Sequence, residues 1–331
     1  MDILIIGGTQ FVGRALVESA LARGHKVTLF NRGKTNPDLF PQAERIAGDR
    51  MEDLDKLGDG PWDVVIDTVG YTPQAVKLSV DYLKDKVQHY VFISTISVYD
   101  MEKLQPGFDE SGTLIELDGP EEDAPQNSLY GGRKVLCERA IEAVFPGHNL
   151  IIRPGLIVGP YDPTNRYPYW VGRIAKGGEV LLPDAASQPV QWVDARDLAN
   201  FTLDMTEALE TGIYNVTGPD RRLTFGEYID YCERVGKASV SLRWTDPDWL
   251  LENEVTPFME MPMWVPQQMM NPEVFMGVNV DKAINAGLKF RPQEETMQDT
   301  LDWLNSLDGE VPGAAGLDPE KEQALLAKLD A

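Results

Sequence analysis

Cysteine is nearly missing from these 331 residues: Cys137 and Cys232 are the only two, far apart in ordinary periodic segments. No disulfide framework is expected of such a pair, and a reducing compartment is its natural setting. Histidine is scarce too. His25, His89 and His148 are scattered, no Cys/His spacing marks a zinc site, and no metal centre is expected. No apolar run approaches the length of a membrane span, and the first strand starts at Asp2 with no room for a signal peptide before it. A cytoplasmic protein without a membrane partner is expected. Basic charge is in deficit: 30 lysines and arginines face 53 acids, giving a formal net charge of −23. Such a surplus repels polyanionic backbones at long range and argues against a nucleic-acid partner.

What is present is most telling at the start of the chain. Asp2-Ile3-Leu4-Ile5-Ile6 is a short apolar run stopped at once by Gly7-Gly8, the mark of a strand buried on both faces of a parallel sheet. From Phe11 the apolar positions Val12, Ala15, Leu16 and Ala20 recur at helical spacing, and Gly24 stands where a left-handed cap ends a helix. Strand, glycine turn and helix in that order leave unpaired N–H groups at the helix start, which attract a phosphate. Gly7, Thr9, Gln10, Phe11, Val12 and Gly13 are therefore candidate pyrophosphate contacts, with Gln10 where the middle glycine of the usual spacing would be. A tight turn without a ligand is the plain alternative.

Lys26 to Phe30 reads as a second strand ending in Asn31-Arg32-Gly33-Lys34. The acid that ordinarily binds the adenosine ribose at this point is missing. Asn31 holds its position, and Arg32 and Lys34 beside it are placed to grip a 2′-phosphate, which favours NADP over NAD. A short third strand over 45–47 leads to Asp49 and Arg50, counted as further nucleotide contacts. Asp49 is either an acceptor for the adenine amino group or the N-cap of a helix over Met51 to Leu57. Asp63 to Asp67 is the fourth strand. Behind it Val69 and Gly70 are expected to pass close to a flat ligand, with Tyr71 on the substrate side. Pro73 opens a helix to about Leu83, and Tyr90 to Ile93 is the fifth strand. The alternation describes an α/β fold, a Rossmann-type doubly wound parallel sheet whose ligands bind beyond the strands' carboxyl ends.

Asp100 to Asn127 is a long acidic connection, with Asp109, Glu110, Glu121, Glu122 and Asp123 among its charges, and reads as a lid or mobile excursion. It leads into a helix that sets Tyr130 and Lys134 one turn apart on one face. A phenol of ordinary pKa is a poor base at neutral pH, but a neighbouring cation favours the phenolate, and Tyr130 then exchanges a proton with a substrate hydroxyl or carbonyl. On spacing alone an incidental Tyr/Lys pair is the simpler reading; the glycine loop and Thr95 at the end of the fifth strand reverse it.

At these residues the chain resembles the short-chain dehydrogenase/reductase superfamily, in its extended or atypical epimerase/dehydratase-like branch. The resemblance rests on the glycine loop, Ser94 to Tyr99, Tyr130 with Lys134, Ile152-Arg153-Pro154 through Gly159-Pro160, and Gln191 to Ala199. It continues in Tyr214 to Gly218 and Val280 to Trp303, so it covers nearly the whole chain. It implies that Tyr130 is the general acid/base, that Lys134 lowers its pKa and binds the nicotinamide ribose, and that Thr95 hydrogen-bonds the reacting oxygen. It further implies that Ser97 and Tyr99 line the substrate pocket, with Trp192 added to them, and that Pro154, Gly155, Leu156 and Ile157 lie against the nicotinamide. The expected activity is an NAD(P)-dependent oxidoreductase acting on a small molecule, with a nucleotide-sugar epimerase or dehydratase as the alternative. The loop variant is also similar to the chloroplast stem-loop RNA-binding proteins, so a non-catalytic dinucleotide sensor or RNA binder is a third reading. Pro189-Val190-Gln191 stands where many epimerases carry a diphosphate-binding arginine, which counts against a nucleotide sugar. A homodimer is an analogy to the superfamily.

The expected dinucleotide domain is 1–164, with 190–218 returning to it, and the substrate lobe is 165–189 with 219–308. Asp246 to Met276, rich in Trp and Met, is either an adaptable apolar wall for a substrate or irregular core packing. The tail 309–331 carries a helix from Pro319, read as solvated or as a partner contact. Replacing Arg32 by alanine is expected to raise KM for NADP far more than for NAD; steady-state kinetics with both nucleotides check this, and equal effects remove the assignment.

Overall fold

A strand made of Ile3, Leu4 and Ile5 needs cover on both faces, and all three are fully buried. The computed structural model describes residues 1–117, 126–309 and 311–330, the side chains at 126 and 127 excepted. The chain divides into two units: Met1–Leu156, Ala195–Thr217 and Asn279–Lys289 form the first, and Ile157–Asp194, Gly218–Val278 and Phe290–Ala331 the second. The expected domain ends, 164 and 190–218, thus differ from these by several residues, and 279–289 belongs with the first unit.

In chain order the first unit supplies β1 (Asp2–Ile6), α1 (Phe11–Ala22), β2 (Lys26–Asn31), β3 (Glu44–Ala47), β4 (Val64–Asp67), α2 (Pro73–Leu83), β5 (His89–Ile93), α3 (Gln126–Val144) and β6 (Asn149–Pro154). There follow β7 (Leu156–Val158), α4 (Pro168–Ala175), β8 (Gly178–Pro183), β9 (Pro189–Val190) and β10 (Trp192–Asp194). The first unit resumes with α5 (Ala195–Glu207) and β11 (Gly212–Val216). Then come β12 (Leu223–Thr224), α6 (Phe225–Gly236), β13 (Val240–Thr245), α7 (Pro247–Glu252), α8 (Pro272–Phe275), α9 (Asp281–Asn285), α10 (Gln293–Asn305) and α11 (Pro319–Leu329). No helix among the described residues is long and apolar enough to cross a membrane.

The first unit's sheet has seven strands in the order β11-β6-β5-β4-β1-β2-β3, all parallel. This is the doubly wound order, and its direction reverses between β1 and β4, which opens a crevice beyond their carboxyl ends. Helix α2 starts where its sequence says it should, because Thr72 accepts a bond from Ala75 N–H and Pro73 fills the first turn. Gly24 ends α1 with a φ of 78°. The helix expected at 51–57 shrinks to a single 3-10 turn, Leu54–Leu57. Residues 100–117 of the long connection are tied down: Asp100 N–H bonds Thr113 O, Ile115 N–H bonds Val98 O, and Glu110 accepts Asn215 N–H at 2.8 Å. Glu121, Glu122 and Asp123 lie outside the described residues.

A buried charge pair of this unit involves a residue expected at the cofactor. Arg50 makes two bonds to Asp67, at 3.0 and 2.8 Å, and a third to Ser79 Oγ at 2.8 Å, while Tyr90 OH donates to Asp67 at 2.9 Å. Burial alone would raise the Asp67 pKa, but the Arg50 guanidinium outweighs it and holds the carboxyl below the usual range. Arg50, expected among the cofactor contacts, is therefore turned into the core with its charge already matched.

In the second unit the aromatic residues form the core. Tyr167 stacks on Tyr228 at 5.2 Å, and Trp192 sets its edge against both. Trp192 is 2% exposed and donates its indole N–H to Gln293 at 2.8 Å, so it is packing, not a pocket wall. Met261, Met263 and Trp264 are buried and Gln188 ties the backbone there, through Met263 O and Val265 N–H. The core-packing reading of that segment holds for these residues. Helix α6 begins with a capping box between Thr224 and Glu227. Helix α11 is not a solvated appendage: Leu325 and Leu326 are buried, and Glu322 accepts Arg173 Nε at 2.7 Å and Leu181 N–H at 3.1 Å.

Changing Arg50 to methionine strands the Asp67 carboxylate in a dry site, and urea denaturation near pH 7 is expected to show a loss of about 3–5 kcal/mol. The lone carboxyl would then have a folded pKa raised above its unfolded value, so the folded variant binds more protons and regains stability as pH falls from about 7 to about 4. A deficit that does not shrink over that range would contradict the assignment.

Candidate active site

The glycine loop is shaped by contacts that leave no room for side chains. Gly7 and Gly8 have φ of 108° and 94°, and a Cβ on Gly7 would lie 2.3 Å from Thr68 Oγ1. A Cβ on Gly13 would fall 2.8 Å from the backbone nitrogen of Gly8, so α1 can approach the loop this closely only with glycine there. Gln10 occupies the N-cap with no side-chain bond, and the first turn holds no acid. The N–H groups at the helix start are thus without a side-chain cap, which is the chemistry a phosphate needs. Thr9 and Gly13 are buried, Phe11 and Val12 half-buried, and Gln10 exposed.

The segment after β2 clamps this loop. Asn31 donates to Gly7 O at 2.7 Å and accepts Gly33 N–H at 2.9 Å; Asn36 donates to Thr9 O at 2.9 Å. Asn31, expected to face the ribose, has both ends of its amide engaged by the protein. Arg32 and Lys34 are exposed on the same segment. Asp49 accepts Met51 N–H at 2.9 Å, a local turn bond in place of the helix cap. Asn36 was not among the sequence candidates, since nothing in a loop asparagine's neighbours says which carbonyl it will reach.

Behind β4, Gly70 is packed against Phe92 and Val76, where a Cβ would come within 2.4 and 2.7 Å, and Val69 N–H bonds Asp67 at 3.1 Å. The carbonyl of Gly70 accepts Lys134 Nζ at 3.0 Å, and Ile93 O accepts the same amine at 2.8 Å. The ammonium also lies 3.9 Å from the centre of the Phe92 ring. Desolvation draws the Lys134 pKa down to about 8 against the pull of Asp67.

Tyr130 is 44% exposed. Its phenol pKa is pushed up to about 12, by desolvation first and then by the neighbouring Tyr71 phenol, with the nearby Thr95 acting the other way. Lys134, expected to lower this pKa, is not among the groups that shift it. Thr95 caps the turn at 96–98 by accepting Ser97 N–H at 3.1 Å and donating to Ser97 Oγ at 3.1 Å. Gly131 lets α3 lie on that turn, since a Cβ there would overlap Ser97 O. Thr95, Ser97, Tyr71 and Tyr130 are thereby gathered at one end of the sheet.

Tyr99 is not. It is 1% exposed, donates to Asn215 at 2.7 Å and accepts from Arg153 at 2.8 Å, so it belongs to the interior. Arg153 also grips Glu138 at 2.6 Å, and Glu138 accepts Ser94 Oγ. This fastens α3 to β5 and β6 one turn beyond Lys134. Sequence reasoning gave Glu138 no role, although its spacing from Lys134 placed it on the same face. Pro154 ends β6 and is buried; Gly155 N–H bonds Val216 O at 3.2 Å, while Leu156 and Ile157, at the end of the first unit and the start of the second, are half-buried.

The sequence model of the NAD dependent epimerase/dehydratase family matches residues 3–217. The chloroplast stem-loop binding protein of 41 kDa b from Arabidopsis thaliana is 28% identical over 255 residues, 71% of this chain and 63% of that protein. The chain thus spans less than two thirds of the plant relative's length. The epimerase family protein SDR39U1 of Bos taurus is 25% identical over 249 residues, covering 69% of this chain and 78% of that one. Among solved structures, a UDP-glucuronic acid 4-epimerase from Bacillus cereus in complex with NAD superposes with a TM-score of 0.69 at 16% identity, over 93% of this chain and 98% of that chain. A UDP-glucose 4-epimerase from Thermus thermophilus in complex with NAD gives 0.65 at 17% identity, over 92% and 99%. With one family description running from β1 into β11, over the sheet order and glycine loop described above, the chain belongs to the NAD dependent epimerase/dehydratase family.

Proposed function

We propose that the protein is an NAD(P)-dependent oxidoreductase that interconverts a carbonyl and a carbinol on a small substrate, with Tyr130 as its general acid/base. The observation that carries this is Tyr130 brought beside Thr95 at the end of a sheet whose glycine loop offers uncapped helix N–H groups. The dinucleotide, when bound, supplies the hydride carrier. The chain's own part is to hold it and to move a proton. Gly7 to Gly13 would hold the pyrophosphate, Arg32 and Lys34 a 2′-phosphate, and Lys134 the nicotinamide ribose. Thr95 orients the reacting oxygen against the Tyr130 phenol.

The phenol's raised pKa sets how each direction of the reaction depends on pH. A phenol near 12 is neutral at physiological pH and is a proton donor, which suits addition of hydride to a carbonyl; the reverse needs the phenolate. A nucleotide-sugar epimerase has the specific support of the solved relatives' names. The chloroplast relative's name supports an RNA-binding reading, against which stands the net charge of −23.

Incubation with NADPH and a panel of aldehydes, ketones and keto sugars is expected to consume the nucleotide, and Tyr130→Phe to slow turnover ~10²–10⁴-fold with dinucleotide binding kept. Turnover of UDP-, GDP- or dTDP-sugars without net consumption decides for the epimerase, and tight RNA binding with full function in Tyr130→Phe overturns catalysis. Reduction is expected to stay level through neutral pH and decline only in alkaline solution, whereas oxidation climbs with pH as the phenolate forms. Opposite slopes would remove Tyr130 from the proton step.

A further inference from the structure

Thr95 and Tyr130 reach the site from different elements, Thr95 from the end of β5 and Tyr130 from α3. Their placement is only as fixed as the contacts that join those two elements. Two such contacts fall on consecutive residues of the strand end. Lys134 Nζ donates to Ile93 O at 2.8 Å, and Ser94 Oγ donates to Glu138. Tyr130, Lys134 and Glu138 follow one another at four-residue spacing, which stacks them along one helix face. Ser94 N–H meanwhile bonds Ile152 O at 2.7 Å. The residue before Thr95 is thus tied to β6 by its backbone and to α3 by its side chain.

Glu138 is a firm group to fasten to. It is buried, and so is Arg153, whose fork grips it from Nε to Oε1 at 3.1 Å and from Nη2 to Oε2 at 2.6 Å. Arg153 is braced in turn by Tyr99 OH at 2.8 Å, and Tyr99 by Asn215 at 2.7 Å. Oε1 therefore accepts from Arg153 and Ser94 together, and taking away the Ser94 hydroxyl leaves the fork whole. A buried serine with a satisfied hydroxyl is ordinarily packing and nothing more. This one stands between a carbonyl bound by Lys134 and the threonine beside Tyr130, where a small shift of backbone is passed straight to the reacting pair. A misplacement of about 1 Å there costs about 10²-fold in rate, and groups one bond removed from the chemistry are what prevent it.

We propose that Ser94 and Glu138 are positioning residues: their buried hydrogen bond sets the end of β5 against α3 and so keeps the Thr95 hydroxyl beside the Tyr130 phenol. This deepens the activity proposed above and rests on that reading of Tyr130. Ser94 and Glu138 are both buried, so they act through Thr95.

The test is a titration of that one phenol in the full chain, made with a trifluorotyrosine in place of Tyr130 and followed by fluorine NMR. The fluorines acidify the phenol and bring its transition out of strongly alkaline solution. Thr95 acts to lower the Tyr130 pKa, so Thr95→Ala is expected to raise it. Ser94→Ala is expected to raise it by part of that shift, and to add nothing once Thr95→Ala is already present. A loss of packing alone would act equally in both backgrounds. No shift with Ser94→Ala, or an equal shift with and without Thr95, overturns the proposal. Should Ser94→Ala fail to fold, Ser94→Cys decides, because a thiol is a weak donor: the same partial rise is expected, and an unchanged titration overturns the proposal. The titration needs neither substrate nor nucleotide, so a failure of the oxidoreductase reading, seen as absent NADPH turnover, is separate from a failure here.

Discussion

A single buried amine decides where Tyr130 stands. Lys134 is 2% exposed and is tolerable there only because the carbonyls of Gly70 and Ile93 accept its protons and the Phe92 face lies beneath it. Ile93 ends β5, and Gly70 lies three residues beyond the end of β4. The amine therefore ties α3, and Tyr130 with it, to the carboxyl end of these interior strands. Glu138 and Arg153 repeat the fastening one turn on, so the tyrosine is carried on a helix anchored at two successive turns.

The phenol is not pre-ionised because burial outweighs what would lower its pKa. Resemblance to a family supplies the residues of a proton relay. The electrostatic state of those residues follows from what else they touch, and here the amine touches the scaffold first.

Much of the scaffold could be read from the chain. Helix α2 was legible because Pro73 marks its start and Val76, Val80 and Leu83 mark its buried face. The parallel sheet was legible from apolar runs too short and too uninterrupted for anything else. Side-chain direction was not legible. Arg50, Tyr99 and Trp192 sit beside motif residues, yet all three point into cores whose other halves, Asp67, Asn215 and Gln293, lie 17, 116 and 101 positions away. Helix α11 looked solvated because its charges alternate, but one of them, Glu322, is an acceptor for a distant backbone N–H, and spacing cannot distinguish such a carboxylate from a surface one.

The clamp on the glycine loop bears on how such a site could change hands between nucleotides over evolutionary time. Asn31 is at once the position where an acid would select one dinucleotide and the donor that keeps Gly7 O in place. Exchanging it for aspartate would add an acceptor for sugar hydroxyls but set a carboxylate against a carbonyl oxygen, loosening the glycine turn. A lineage drifting toward the other coenzyme must first find a new donor for that oxygen, so single steps lead downhill and coenzyme choice is locked in by geometry rather than by charge alone.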